Sequence, residues 1–300
     1  MKYLFTHLLG EFVFDEDSQQ LRVAADKRES ENLKVIPPEK ILPALQLLKE
    51  KKFFAELYRR NNTVTRQSIR EAVHEDQMIM QTIACINELD QACNLLSRRL
   101  REWYGLYFPE LAERISNHEH FATLLATKTR DAISQELAIP VTMGADPSAE
   151  ESLEIQDLAK EIQQIYALRQ KKDRYLQKVM KQYCPNLMEL AGATIGARLL
   201  ELGRGLRHLA VLPASTIQLL GAEKALFRHL KTGAKAPKYG VIFQHLLIQN
   251  APKDEKGKAA RILADKLSLC VRLDYFKGEF KAKEYRQELE KRFVPKKREN

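Results

Sequence analysis

Residues 79–103 read IMQTIACINELDQACNLLSRRLREW. Apolar or small side chains recur alternately three and four positions apart, at Ile79, Thr82, Ile86, Leu89, Cys93, Leu96, Leu100 and Trp103. That alternation keeps one stripe of a helix apolar over three heptads, as in a helix that packs along a second helix. A partner stripe lies downstream at Ile155, Leu158, Ile162 and Ile165, and continues through Leu176 and Val179 past Arg169 and Lys172. Proline and glycine are missing from both stripes. Between them, residues 105–109 read as a turn and residues 121–137 as a shorter helix, and Pro140, Gly144 and Pro147 form a second break. Two long helices joined by such an insertion predict an antiparallel coiled coil over residues 63–182. Leftover apolar surface on the hairpin is expected to pair two copies of the chain. Ile79, Ile86, Leu89, Leu96, Ile155, Leu158 and Ile162 are the candidate dimerisation residues.

Outward from the coiled coil, the pattern changes on both sides. Residues 1–62 are mixed: short apolar-aromatic runs at 3–9, 11–14 and 21–24 alternate with turn signals, and Pro37-Pro38 open a helical stretch with Ile41, Leu45, Leu48 and Phe53. A small α/β domain is expected there. Residues 183–280 read as helical and globular, punctuated by Gly192, Gly196, Gly203, Gly205 and Gly221. Gly192 and Gly196, four apart, suggest close helix packing. Residues 281–300 read as a solvated basic tail, a frayed helix ending in Lys296-Lys297-Arg298. The fold class is therefore mainly α, with a small α/β N-terminal domain, an antiparallel coiled coil and a helical C-terminal domain.

Charge divides the chain more sharply than composition does. Residues 196–300 hold 23 Lys+Arg against 11 Asp+Glu, whereas the first 195 residues hold 26 against 29. All of the net charge of +9 thus comes from the last third, the footprint of a segment that faces nucleic acid. Cys85, Cys93, Cys184 and Cys270 form no CxxC pair and match no zinc spacing, so they read as reduced, buried thiols. The first ten residues lack the leader pattern of a secreted chain. Phosphate-binding, nucleophile-elbow and zinc-protease motifs are missing from the sequence. His118 and His120 stand two apart and cannot chelate from one helix face. No catalytic residue, metal site or cofactor is expected.

The last third concentrates its information in residues 212–245, LPASTIQLLGAEKALFRHLKTGAKAPKYGVIFQH. Ser215 is a candidate helix cap, and Gly221 breaks that helix. A second helix begins near Ala222-Glu223-Lys224, and its N-terminal amides can face a phosphate. Lys224, Arg228 and Lys231 fall at i, i+4 and i+7, one basic stripe. Lys235 and Lys238 follow in a loop, and Leu219, Leu220, Leu226 and Phe227 are expected in the core. A helix start, a basic stripe and a basic loop suit contacts to an RNA backbone. A solvated helix face fits the pattern equally well.

These residues also carry a resemblance. Residues 221–230, GAEKALFRHL, followed by Pro237-Lys238-Tyr239-Gly240 and Phe243-Gln244-His245, resemble the signature of the Nop domain. Residues 257–261, GKAAR, and 272–276, RLDYF, match it as well. Upstream, residues 87–90, NELD, residues 101–111, REWYGLYFPEL, and residues 143–146, MGAD, resemble the coiled-coil segment of the same family. The likeness covers about residues 76–280; the N-terminal domain resembles the family by size and order alone.

The family is the Nop scaffold of box C/D ribonucleoprotein particles. The resemblance implies a non-catalytic scaffold whose N-terminal domain docks a fibrillarin-type methyltransferase and whose coiled coil makes a homodimer. Its Nop domain would grip a kink-turn RNA already bound by a small ribosomal-like protein. The methyl donor would sit on the partner enzyme, and a box C/D guide RNA would direct 2′-O-methylation of rRNA or tRNA. The implied RNA- and particle-binding residues are Gly221, Ala222, Glu223, Lys224, Arg228, His229, Lys231, Lys235, Lys238 and Arg261. Without the long Lys/Asp/Glu-rich tail of nucleolar relatives, an archaeal, cytoplasmic form is expected; a eukaryotic form would be nucleolar. The chain departs from the family's habit in two places: Leu246 stands where proline usually follows Gln-His, and Cys270-Val271 replace small residues before Arg272. The rival readings are a spliceosome-type Nop relative and a stand-alone RNA-modifying enzyme.

Overall fold

The computed structural model describes residues 1–25, 33–49, 51–139 and 141–293. The chain divides into two compact units, Met1–His74 and Glu75–Asn300. Pro140 and the basic run at 296–298 lie outside the described residues.

The first unit is built on a four-stranded sheet. β1 (Lys2–His7) and β2 (Gly10–Asp15) form an antiparallel hairpin, β3 (Gln20–Val23) extends it beyond β2, and β4 (Lys34–Val35) pairs parallel to β1. Phe5 stands opposite Phe12 in the register. Phe12 and Phe14, two apart, share a face and meet Ile36, Ala44 and Leu48 in a small core. Pro38 opens α1 (Pro38–Leu47), where its missing N–H costs nothing. The next helix, α2 (Lys51–Glu71), runs past the expected boundary at 62/63. Nothing from 44 to 104 is proline or glycine, so the Asn61-Asn62 pair sits exposed or half-exposed inside a helix.

The second unit begins with α3 (Glu75–Tyr104), followed by three short helices, α4 (Pro109–Arg114), α5 (His118–Thr127) and α6 (Arg130–Glu136). α7 (Ala149–Tyr183) then runs back antiparallel to α3. Its 35 residues span about 52 Å. A capping box starts it: the Ser148 hydroxyl accepts from Glu151 N and the Glu151 carboxylate accepts from Ser148 N. Midway along the hairpin, Arg169 Nε donates to Asp90 Oδ1 at 3.0 Å, so the polar interruption in the downstream stripe is an ion pair across the seam.

Each end of the hairpin sinks into a separate core. Ile79, Ile83 and Ile86 join Leu176 and Met180 in the core of the C-terminal helices. Leu100, Tyr104, Ile155 and Ile162 join Phe108, Phe121 and Ile133 in a second core at the tip. The insertion does not hang free, because α5 packs back along α7. Two motifs distant in sequence meet at the tip: a Cβ on Gly144 would lie 2.3 Å from the Tyr107 carbonyl, and Glu110 accepts from Thr142 Oγ1 and Met143 N.

This placement corrects the dimer expectation at the residue level. Ile79, Ile86, Ile155 and Ile162 are buried within the chain, and Leu89, Leu96 and Leu158 are half-buried in its own seam. The residues that close the hairpin are not the residues it could offer to another copy. Exposed apolar side chains on these helices are Met78, Leu95, Leu153, Leu168 and Tyr175.

The C-terminal helices are α8 (Pro185–Ala191), α9 (Ala193–Leu202), α10 (Leu206–Val211), α11 (Ala214–Leu219), α12 (Glu223–Thr232), α13 (Leu246–Asn250), α14 (Lys256–Tyr275) and α15 (Ala282–Phe293). Gly192, at φ +76°, separates α8 from α9 rather than packing within a helix. Gly196 does pack closely: a Cβ there would meet the Met180 side chain at 2.8 Å. α14 is the central helix of this unit. Its Asp274 takes the amides of Asn186 and Leu187 and the side-chain nitrogen of Asn186, all between 2.8 and 3.0 Å. Asn186 Oδ1 in turn accepts from Lys281 N and Ala282 N. One buried carboxylate and one buried amide thus tie the start of α8 to the end of α14 and the start of α15. Burial pushes the Asp274 carboxyl above its ordinary value, against the pull of those hydrogen bonds.

Residues 282–293 depart from the solvated-tail reading. α15 packs on the core through Ala282, Leu289 and Phe293. Cys93, Cys184 and Cys270 are buried and Cys85 is half-buried; burial raises the Cys184 and Cys270 thiols, the latter to about 12. No helix among the described residues is long and apolar enough to cross a membrane.

Candidate nucleic-acid interface

α12 is held to the body by its two ends. Gly221 adopts φ +87°, which lets the chain turn sharply out of α11. Val241 N then bonds Leu220 O at 2.7 Å, and Gly240 N bonds Gln218 O at 2.8 Å, so the loop after α12 returns to the turn before it. A Cβ on Gly240 would lie 1.9 Å from Leu220 O, so the Tyr239-Gly240 step accepts only glycine there. Gly233 closes the helix in the left-handed conformation, and His229 Nδ1 bonds Ala234 O beyond it. Tyr239 and Phe243 stack with centroids 4.4 Å apart, and Lys256 Nζ stands 5.5 Å from the Phe243 ring.

Held this way, α12 buries none of its residues. Lys224, Arg228 and Lys231 form the expected row and are all exposed. Lys235 and Lys238 extend it through the loop, and Arg261 stands exposed on α14. Lys238, Lys258 and Arg261 line a recess of about 630 Å³. No ion pair among the described residues engages these seven cations. Their charge is therefore not neutralised by an ion pair among the described residues.

Two expectations fail here. Phe227 is not in the core: it is 67% exposed, and Leu230 beside it is 74% exposed. Leu226 and His229 are half-buried, on the side turned toward the body. The second concerns the amides at the helix start. Gly221 N donates to Glu223 Oε1 at 2.7 Å and Ala222 N to Leu219 O at 2.9 Å, so neither is free for a phosphate. The Glu223 carboxylate occupies that position itself. Ser215 does not cap α11, which starts at Ala214 behind Pro213 with no side-chain cap.

His245 sits behind this face and braces it. Its Nε2 bonds Leu190 O at 2.9 Å, and its Nδ1 accepts Leu247 N at 3.1 Å as the cap of α13. A carbonyl accepts only from a protonated nitrogen, so the ring is the neutral Nε2–H form. Burial lowers its pKa accordingly. Leu246, where proline was expected, is the 73% exposed first residue of α13.

The arrangement defines a mainly helical protein that carries an exposed basic face on its C-terminal helices. Comparison with known sequences agrees. The family described as "snoRNA binding domain, fibrillarin", the Nop family, matches residues 85–294, and the chain belongs to it. An uncharacterised NOP5 family protein of Methanocaldococcus jannaschii is 43% identical over 237 residues, covering 74% of this chain and 57% of that protein. Nucleolar protein 58 of Schizosaccharomyces pombe is 38% identical over 215 residues, covering 66% and 42%. The chain thus spans about half the length of the curated relatives it matches. Among solved structures, a fibrillarin/Nop5p complex aligns with a TM-score of 0.48 and 23% identity, covering 97% of this chain and 99% of that one.

Proposed function

We propose that the chain is a non-catalytic scaffold of a box C/D ribonucleoprotein that carries a fibrillarin-type methyltransferase to a kink-turn RNA bound by its ribosomal-like protein. The observation that carries this reading is α12. It presents unpaired cations beside exposed Phe227 and Leu230 and buries nothing. The cations suit RNA phosphates, and the adjacent apolar pair suits a protein surface. A composite of RNA and protein satisfies both halves of the helix. Docking of the methyltransferase falls to the N-terminal unit, where Phe54 and Tyr58 stack, exposed, on α2. A homodimer would use the outer apolar side chains of α3 and α7, Leu95 and Leu168 among them. In an archaeal cell the particle would be cytoplasmic.

The test is binding of the full chain to the preformed complex of kink-turn RNA and kink-turn protein across a salt series. Arg228→Ala should weaken binding by roughly 1.5–3 kcal/mol, the range for a charged hydrogen bond. It should also lower the slope of log K against log salt by about 0.7–0.9, one released counterion. Lys178→Ala, exposed on α7, should do neither. Equal affinity and slope for wild type and Arg228→Ala would remove α12 from the interface. Capture of the methyltransferase should fail with Phe54→Ala/Tyr58→Ala and survive Arg228→Ala; light scattering should report a dimer that Leu95→Glu weakens.

A further inference from the structure

Asn87, Gln91 and Asn94 fall at i, i+4 and i+7 on α3, so three side-chain amides share one helix face. They line a cleft of about 650 Å³ together with Arg198 and Glu201 of α9 and the backbone of Gly221. Its charge differs from that of α12. Asp90 is ion-paired with Arg169, Glu201 stands with the single Arg198 guanidinium, and no lysine lines the cleft. A phosphate gains nothing from such a lining, whereas a neutral, hydrogen-bonding ring does.

Arg198 fixes which groups the cleft offers. Its Nη2 donates to Asn87 Oδ1 at 2.8 Å and its Nη1 to Gln244 Oε1 at 3.2 Å. With both amide oxygens taken, the NH2 groups of Asn87 and Gln244 are left as donors. The Glu201 carboxylate can only accept, and it forms no ion pair among the described residues. Arg198 Nε is buried with no partner of its own. Donors beside an acceptor match the hydrogen-bonding edge of a nucleobase, where an acceptor adjoins a donor. Guanine and uracil present a carbonyl oxygen beside a ring N–H, and adenine and cytosine an unprotonated nitrogen beside an amino group, so either kind pairs with such a lining. The cleft also opens where the RNA would pass, since Gly221 lies three residues before Lys224.

We propose that this cleft takes the edge of one unpaired nucleobase from the RNA whose backbone follows α12; the assignment rests on RNA binding by that helix. The full chain is titrated with the kink-turn RNA–protein complex carrying an abasic residue at each unpaired position in turn. Wild type, Gln91→Ala/Asn94→Ala and Glu201→Gln are compared. Gln91 and Asn94 are exposed, so the double variant should melt as wild type does. It should bind about tenfold more weakly with the salt slope unchanged, since no phosphate contact is lost. One abasic position should cost wild type the same factor and cost the variant nothing more, the signature of a direct pair. The cleft assignment is overturned if both variants bind as wild type, or if no RNA position couples to them. Failure of the underlying reading looks different: wild type and Arg228→Ala would then bind the complex equally, with equal salt slopes.

Discussion

α12 and α14 lie in the same unit, both carry basic residues in their first turn and both contain stretches quoted for the Nop signature. α14 buries nine of its twenty residues, and α12 buries none of its ten. The two helices divide one signature into a part that builds and a part that binds. Residues of α14 such as Asp274 answer to partners within the chain. The cations of α12 have no ion-pair partner among the described residues, and its Phe227 and Leu230 stand outside the core. A change in the first should therefore appear as lost stability, and a change in the second as lost affinity with the melting point intact.

The largest effect tests the building half. Asp274→Ala leaves the amides of Asn186 and Leu187 and the Asn186 side-chain nitrogen without their acceptor in a buried site. At about 1–3 kcal/mol for each unsatisfied buried group, and with some relaxation, the loss should be roughly 3–5 kcal/mol of unfolding free energy. Urea denaturation measures it. Asp274→Asn keeps one acceptor oxygen and should cost less. A loss under about 1 kcal/mol for the alanine variant would mean that the network does not hold α8 and α15 to α14.

Gly240→Ala should fall between the two halves. Its Cβ would overlap Leu220 O, so the return of the loop to the turn before α12 must shift. Overpacking of this kind costs about 1–3 kcal/mol. Since the same turn aims α12, affinity for the RNA–protein complex should fall together with the melting temperature. A variant that melts early but binds normally would show that α12 keeps its aim without the turn.

Much of this division could be read from the chain, and the failures have physical causes. The seam of α3 and α7 was legible because heptad spacing persists over seven turns and survives one ion pair. Its use was not: periodicity identifies an apolar stripe without saying whether the chain or a second copy covers it. The same ambiguity misassigned Phe227, which belongs to an amphipathic helix but faces outward. Asp274 stood inside a quoted motif, yet its partner Asn186 lies 88 residues away, beyond any local pattern. α15 was hidden because its core contacts, Ala282, Leu289 and Phe293, are spaced widely within a charged stretch. The basic row was the most legible part of the site, since three cations at helical spacing have few other arrangements.

Phe227 sharpens the binding half. Phe227→Ala removes an exposed ring, so the melting temperature should not move. If the ring docks on the protein component of the complex, affinity should fall by about 1–2 kcal/mol, less than full burial of a phenylalanine is worth. The salt slope should stay that of wild type, because no counterion is released by an apolar contact. Unchanged affinity would confine α12 to phosphate contacts.

The smallest effect concerns His245, which belongs to the building half but stands directly behind the interface. Its neutral ring donates to Leu190 O and accepts from Leu247 N. A second proton would fall on Nδ1, facing the Leu247 N–H, and would abolish the cap of α13. Burial and the nearby Arg286 oppose that proton as well, so the folded pKa lies below the ordinary 6.5. Between the two values the unfolded chain binds more protons than the folded one. Stability is then full above the ordinary value and declines as pH falls from about 6.5 toward the folded pKa. One such group contributes a slope no steeper than about 1.4 kcal/mol per pH unit. Carboxylates add their own dependence lower down, so the informative quantity is the difference between wild type and His245→Asn. Asparagine can still cap α13 but does not titrate. Denaturation midpoints measured from pH 7.5 to 5.5 should converge as the pH falls, with wild type losing more. Parallel curves would show that the ring is already free of the proton competition its surroundings impose, and that α13 is capped by something other than Nδ1.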